Sequence, residues 1–127
     1  MFYEDTDILF EEFMDIHFSL LDVVWAPATD LFVTAEQIYL MMEIPGVRKE
    51  DLTLMVAPTW VQIRGTKQSP EAFKQGVSFY KLEIPYGYFQ KRVVLPFRVE
   101  PKNLKISLTD GLLTLEFKRK EKKSKSY

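Results

Sequence analysis

Two periodicities divide this chain. Between residues 8 and 25, apolar side chains recur at Leu9, Phe10, Phe13, Met14, Phe18 and Leu21 with carboxylates between them, close to the 3.6-residue repeat of an amphipathic helix. The spacing predicts one helix of about three to four turns. Trp25-Ala-Pro27 ends it, because proline lacks an amide hydrogen and pushes the residue before it out of helical conformation.

From Asp30 onward the repeat shortens to two. Leu31-Phe-Val-Thr34 is a β-branched and aromatic run, and residues 38–44 continue as a strand until the turn pair Pro45-Gly46. Leu52, Leu54 and Val56 then share one face, with Thr53 and Met55 on the other; after Pro58-Thr59, Val61 and Ile63 alternate with Trp60, Gln62 and Arg64. Residues 66–76 are polar, contain Pro70 and form a loop that is long for a small domain. Strand character resumes over residues 77–84 up to Pro85, and again over residues 86–95 up to Pro96. Leu104, Ile106 and Leu108 alternate with Lys105 and Ser107 before the hairpin signal Asp110-Gly111, after which Leu113, Leu115 and Phe117 share a face.

About seven or eight short strands with no helix between them predict an all-β antiparallel sandwich or barrel. Parallel pairing would need crossovers that such connections cannot supply. The boundaries that follow are an apolar and acidic segment over residues 1–26, a β domain over 27–118 and a basic, flexible tail over 119–127.

Length agrees with that division, since 127 residues suit one domain with short extensions. The chain has no cysteine, which excludes disulfides and thiolate metal sites. No run approaches the roughly 18–20 apolar residues of a membrane span. The first seven residues are acidic where a secretory signal would be basic, so a cytoplasmic location is expected. A net charge of −1 gives no bulk attraction to nucleic acid. The charge is unevenly placed: residues 1–35 have no Lys or Arg, while residues 118–125 are nearly all basic. These read as two solvated ends, with a weak contact between them as the second reading.

A search for catalytic chemistry finds little. His17 is the one histidine and sits between Ile16 and Phe18, which suits a helix surface or interface better than a metal site or a triad. The glycines are isolated turn residues, not a phosphate-cradling loop. No acidic run has calcium-loop spacing. Glu83 and Lys91 can pair across strands, which is structural. Phe79, Tyr80, Tyr86, Tyr88 and Phe89 fall at strand spacing and read as packing residues rather than a base-stacking platform. An enzyme is not expected, nor a metal or other cofactor.

The punctuation of the strands carries a resemblance. Trp25-x-Pro27-x-x-Asp30, Ile44-Pro-Gly-Val-Arg-Lys-Glu-Asp-Leu52, Val61-x-Ile-Arg-Gly65, Glu83-x-x-Tyr-Gly87 with Phe89, Leu95-Pro96 and Asp110-Gly-Leu-Leu-Thr-Leu115 occur in order. Over roughly residues 25–117 the chain therefore resembles the small heat-shock proteins, the α-crystallin-domain family. The resemblance implies an immunoglobulin-like antiparallel β-sandwich and a stress-response chaperone that holds unfolding proteins without ATP. It also implies a homodimer by strand exchange, in which residues 77–84 pair with the edge around residues 30–35 of a second chain. Leu31, Val33, Phe79, Tyr80, Leu82 and Glu83 would then form the dimer interface. A groove lined by Leu52, Leu54, Val56, Leu104, Ile106 and Leu108 would take an extended segment.

The chain departs from the family pattern in three places: Val94 stands where many members have arginine, Ile106 stands for an alanine, and residues 118–127 hold no Ile-x-Ile or Ile-x-Val. Either the chain then stops at a dimer, or its N-terminal segment builds an unusual larger assembly. Phe10, Phe13, Met14, Phe18 and Leu21 are the expected client-binding residues, since Phe and Met adapt to irregular apolar partners. The alternatives are a co-chaperone-like interaction module, against which the loop and strand of residues 66–84 argue, and a co-assembly partner of another small heat-shock protein. A sugar-binding sandwich rests only on aromatics such as Trp60. Membrane attachment through residues 8–25 is opposed by their acidity.

Overall fold

The computed structural model describes residues 25–119. The anticipated amphipathic helix, its five client-binding candidates and His17 lie outside the described residues, as do the last eight residues of the tail.

Among the described residues, seven strands form two antiparallel sheets. The first sheet has the order β1-β2-β7-β6, from Thr29–Val33 (β1), Gln37–Glu43 (β2), Val99–Thr109 (β6) and Leu112–Arg119 (β7). The second has the order β3-β4-β5, from Leu52–Val56 (β3), Trp60–Lys67 (β4) and Gly87–Val94 (β5). This is the expected sandwich. Alternation decides which side chains meet between the sheets: Ile38, Leu40 and Met42 from β2, Leu113, Leu115 and Phe117 from β7, Val61 and Ile63 from β4, and Phe89 from β5 are all essentially inaccessible. The register sets Ile38 opposite Phe117 and Leu40 opposite Leu115, so a slip of one residue would turn a whole apolar row to water.

The hairpin signal works as its residues require. Asp110 and Gly111 have φ of 53° and 79°, both positive as a two-residue type I′ turn demands, and Thr109 pairs with Leu112 across it. The carbonyl of Gly111 accepts a 2.7 Å bond from the Ile44 amide, which docks this turn on the Pro45 turn. A Cβ on Gly111 would stand 2.8 Å from the Pro45 Cα, a backbone atom that cannot swing away. Gly111→Ala is expected to cost about 2–4 kcal/mol, from left-handed strain and overpacking together. Gly76 also has a positive φ, of 71°, but open space around it, so Gly76→Ala should cost only about 1–2 kcal/mol. Urea denaturation of the two variants compares them directly.

One expected strand is not formed within this chain. Residues 77–84 follow a short 3-10 helix, Glu71–Gln75, and make no ladder, although their alternation is strand-like. A strand needs an edge to pair with, and this segment lies on neither sheet. The supposed cross-strand pair is likewise absent: Glu83 lies 3.4 Å from Lys81, while the Lys91 ammonium donates to the Pro27 carbonyl at 3.0 Å.

Candidate protein-interaction surfaces

The first surface is the open edge of β1. Hydrogen bonds from the Thr34 amide to the Gln37 carbonyl (2.8 Å) and from the Glu43 amide to the Ala28 carbonyl (3.0 Å) fix the phase of the β1–β2 ladder. In an antiparallel pair every second residue exchanges bonds, so Asp30 and Phe32 bond towards β2 while the amides of Leu31 and Val33 point away from it. Leu31 and Val33 stand opposite Leu40 and Ile38 and so face the sandwich interior, yet both remain exposed, as β1 is the outermost described strand of its sheet. Phe32 projects from the other face and stacks on Tyr39, with ring centroids 5.1 Å apart. The edge is apolar on both faces.

The second surface is the unpaired segment. Val77, Phe79, Tyr80, Leu82 and Ile84 are all exposed, and Tyr80 is completely so. The base of the segment is anchored by Phe73, whose ring meets Phe79 edge-on at 4.9 Å and Tyr86 at 5.5 Å. All six dimer-interface candidates are therefore accessible, four on the segment and two on the β1 edge.

The third surface lies where β3 and β6, the edges of their sheets, border the core. The amide of Val99 donates to the Pro58 carbonyl at 2.9 Å, which ties the start of β6 to the β3–β4 turn. Leu52, Leu54, Leu104 and Leu108 pack half-buried against the core. The other two residues of the expected groove behave differently: Val56 is a core residue, and Ile106 is 54% exposed.

Sequence reasoning missed a feature on the outward side of the β3-β4-β5 sheet. Gln62 points away from the core, yet it is wholly buried. The Arg92 guanidinium lies 4.0 Å above the Trp60 ring and donates to Gln62 Oε1 at 3.3 Å. The available signal was the register, which sets Gln62 between Met55 and Arg92, two long side chains on neighbouring strands. Among the described residues no group of three His, Asp or Glu side chains could hold a metal ion.

Residues 30–127 match the Hsp20/alpha crystallin family. The chain belongs to that family. Small heat shock protein C4 of Rickettsia felis is 28% identical over 99 residues, 77% of this chain and 60% of that protein. The 22.0 kDa heat shock protein of Arabidopsis thaliana is 31% identical over 94 residues, 73% of this chain and 48% of that protein. This chain thus spans about half to three-fifths of the relatives it matches. Among solved structures, a small heat-shock protein from Xylella fastidiosa superposes with a TM-score of 0.71 at 22% identity, covering 83% of this chain and 95% of that one. At that identity the likeness shows the fold, and it is the sandwich described above. The resemblance seen in the sequence and the all-β fold class both stand.

Proposed function

We propose that this protein is an ATP-independent holdase, which binds partly unfolded proteins and keeps them from aggregating without catalysis or a cofactor. The observation that carries the reading is the pairing of an open apolar edge, at Leu31, Phe32 and Val33, with an unpaired alternating segment, at Phe79, Tyr80, Leu82 and Ile84. Both are costly to leave in water and each has the form the other needs. Residues 77–84 of one chain add to β1 of another, which gives a homodimer and covers two hazardous surfaces at once. Family membership supports a chaperone role. A cytoplasmic location follows from the same reading, and among the described residues no helix is long and apolar enough to cross a membrane.

Client capture falls to Phe10, Phe13, Met14, Phe18 and Leu21, with the groove between β3 and β6 taking extended segments. Nothing in this scheme turns over, so no nucleotide is consumed. The test is deletion of residues 1–24, followed by light scattering of a heat-denatured client. Protection is expected to vanish while the variant keeps the β-sheet circular dichroism and the cooperative melt of the sandwich. Undiminished protection by a folded variant rejects the assignment.

A further inference from the structure

We propose that Arg119 is the positioning residue of the acceptor edge: it clips the β1–β2 turn to the body of the sandwich and so holds β1 ready for a second strand. The need for a clip follows from β1 itself. Beyond Thr29 every residue of β1 is exposed, and none belongs to the core cluster, so burial of apolar surface does little to hold the strand. Its ladder runs to β2 alone. A five-residue strand bonded on one side and outside the core lies at the low end of local stability, where fraying precedes global unfolding.

Arg119 supplies what the strand lacks. It is the last residue of β7, and its amide donates to the Glu36 carbonyl at 2.8 Å. Its Nη1 donates to the Thr34 and Ala35 carbonyls at 3.1 and 3.3 Å. The guanidinium carbon stands 3.9 Å from the centroid of the Phe97 ring, which itself packs half-buried against the core. Among the described residues the guanidinium has no carboxylate partner, so its charge is directed at these carbonyls and this ring. Thr34 closes the same turn from inside. Its Oγ1 accepts from the Glu36 and Gln37 amides at 3.3 and 3.0 Å, and its own amide donates to the Gln37 carbonyl at 2.8 Å. The turn is thus a stiff handle on the end of β1, and what fixes the turn fixes the strand.

The functional consequence rests on the strand-exchange reading given above. A frayed edge cannot accept a partner strand, and apparent affinity falls with the fraction of chains whose edge is closed. Reciprocal exchange uses two such edges, so the loss counts twice. Removing the side chain takes away the bonds from a charged donor and the ring contact together, while the residue's amide keeps its bond to Glu36. Opening of β1 is then expected to become about 10–30-fold easier. The dissociation constant of the dimer is expected to rise about 3–10-fold.

Site-resolved hydrogen–deuterium exchange of the full-length chain, in dilute solution, separates this role from a general loss of stability. In Arg119→Ala the amides of Phe32 and Tyr39, which bond across the β1–β2 ladder, are expected to lose about 10–30-fold in protection. The Leu40 amide, which bonds to β7, should keep its protection. Sedimentation measures the dissociation constant in parallel. Arg119→Lys retains a cation with donors and is expected to recover most of both effects, whereas Arg119→Gln should recover neither. The proposal is overturned by protection lost equally at Phe32 and Leu40, or lost at neither. It is also overturned by a dissociation constant that stays put while β1 loosens, or by lysine behaving as alanine does. A parent chain that stays monomeric at every concentration overturns the strand-exchange reading alone, and protection at Phe32 then still decides whether Arg119 holds β1.

Discussion

Phe89→Ala is expected to remove about 3–5 kcal/mol of stability, the cost of emptying a fully buried aromatic site, from a domain whose total is on the order of 5–15 kcal/mol. Phe89 is the only aromatic side chain that β5 places in the core, and it is completely buried. Its ring holds Trp25 edge-on at 5.1 Å, so the packing of Trp25 should loosen with it. Opposite Phe89 in the ladder stands Gly65, and a Cβ there would lie 2.6 Å from Phe89 Cζ. The ring lies across the glycine because no other residue leaves room for it. Gly65→Ala alone should cost about 1–3 kcal/mol by overpacking. In the Phe89→Ala background the same change should cost under about 1 kcal/mol, since the obstructing ring is gone. Urea denaturation of the four proteins measures the coupling. Strictly additive losses would show that ring and glycine do not share the space.

The same pair explains how much of the fold was legible in advance. Period-two alternation and turn residues are local, so β2, β4 and the hairpin at Asp110-Gly111 follow from short windows of sequence. What a glycine makes room for is not local: Gly65 read with the other glycines as a turn residue, whereas it lies inside β4 beneath a ring 24 positions away. The start of β6 was missed for another reason. Pro101 falls inside it and reads as a breaker, but β6 is an edge strand, where a missing amide is tolerated, and its register shifts between Val99 and Leu104. Residues 77–84 are a different case. Their alternation is genuine, but a sequence does not say whether the matching edge belongs to the same molecule. On the candidate surfaces, the register turns Leu31 and Val33 inward, and alternation sets Gln62 opposite to the inward Val61 and Ile63, yet exposure runs the opposite way in each case. Edge position overrides the first, and a roof of long neighbours, Met55, Arg92 and Trp60, is consistent with the second.

Proline on β1 gives the sharpest test of the proposed dimer. The phase of the β1–β2 ladder leaves the Leu31 amide on the open side and commits the Phe32 amide to β2. Leu31→Pro therefore removes no bond within the chain, and its stability cost should stay near about 1 kcal/mol. To an incoming strand, however, it presents a ring where a donor is needed. Loss of one ladder bond and the steric displacement around it are expected to weaken association by roughly 10–100-fold, or about 1.4–2.8 kcal/mol. Phe32→Pro should do the reverse: it breaks a bond inside the sheet and unstacks Tyr39, so it costs stability first. Sedimentation measures both variants against the parent, whose exchange unit should have twice the 15.0 kDa of one chain. In the proposed exchange, Leu82→Asp should dissociate the unit as Leu31→Pro does, because it loads a charge onto the segment that would pair with the partner. If Leu31→Pro stays dimeric while folded, β1 is not the acceptor edge. The exposed row at Phe79, Tyr80 and Leu82 would then have to be covered by a surface other than the open side of β1.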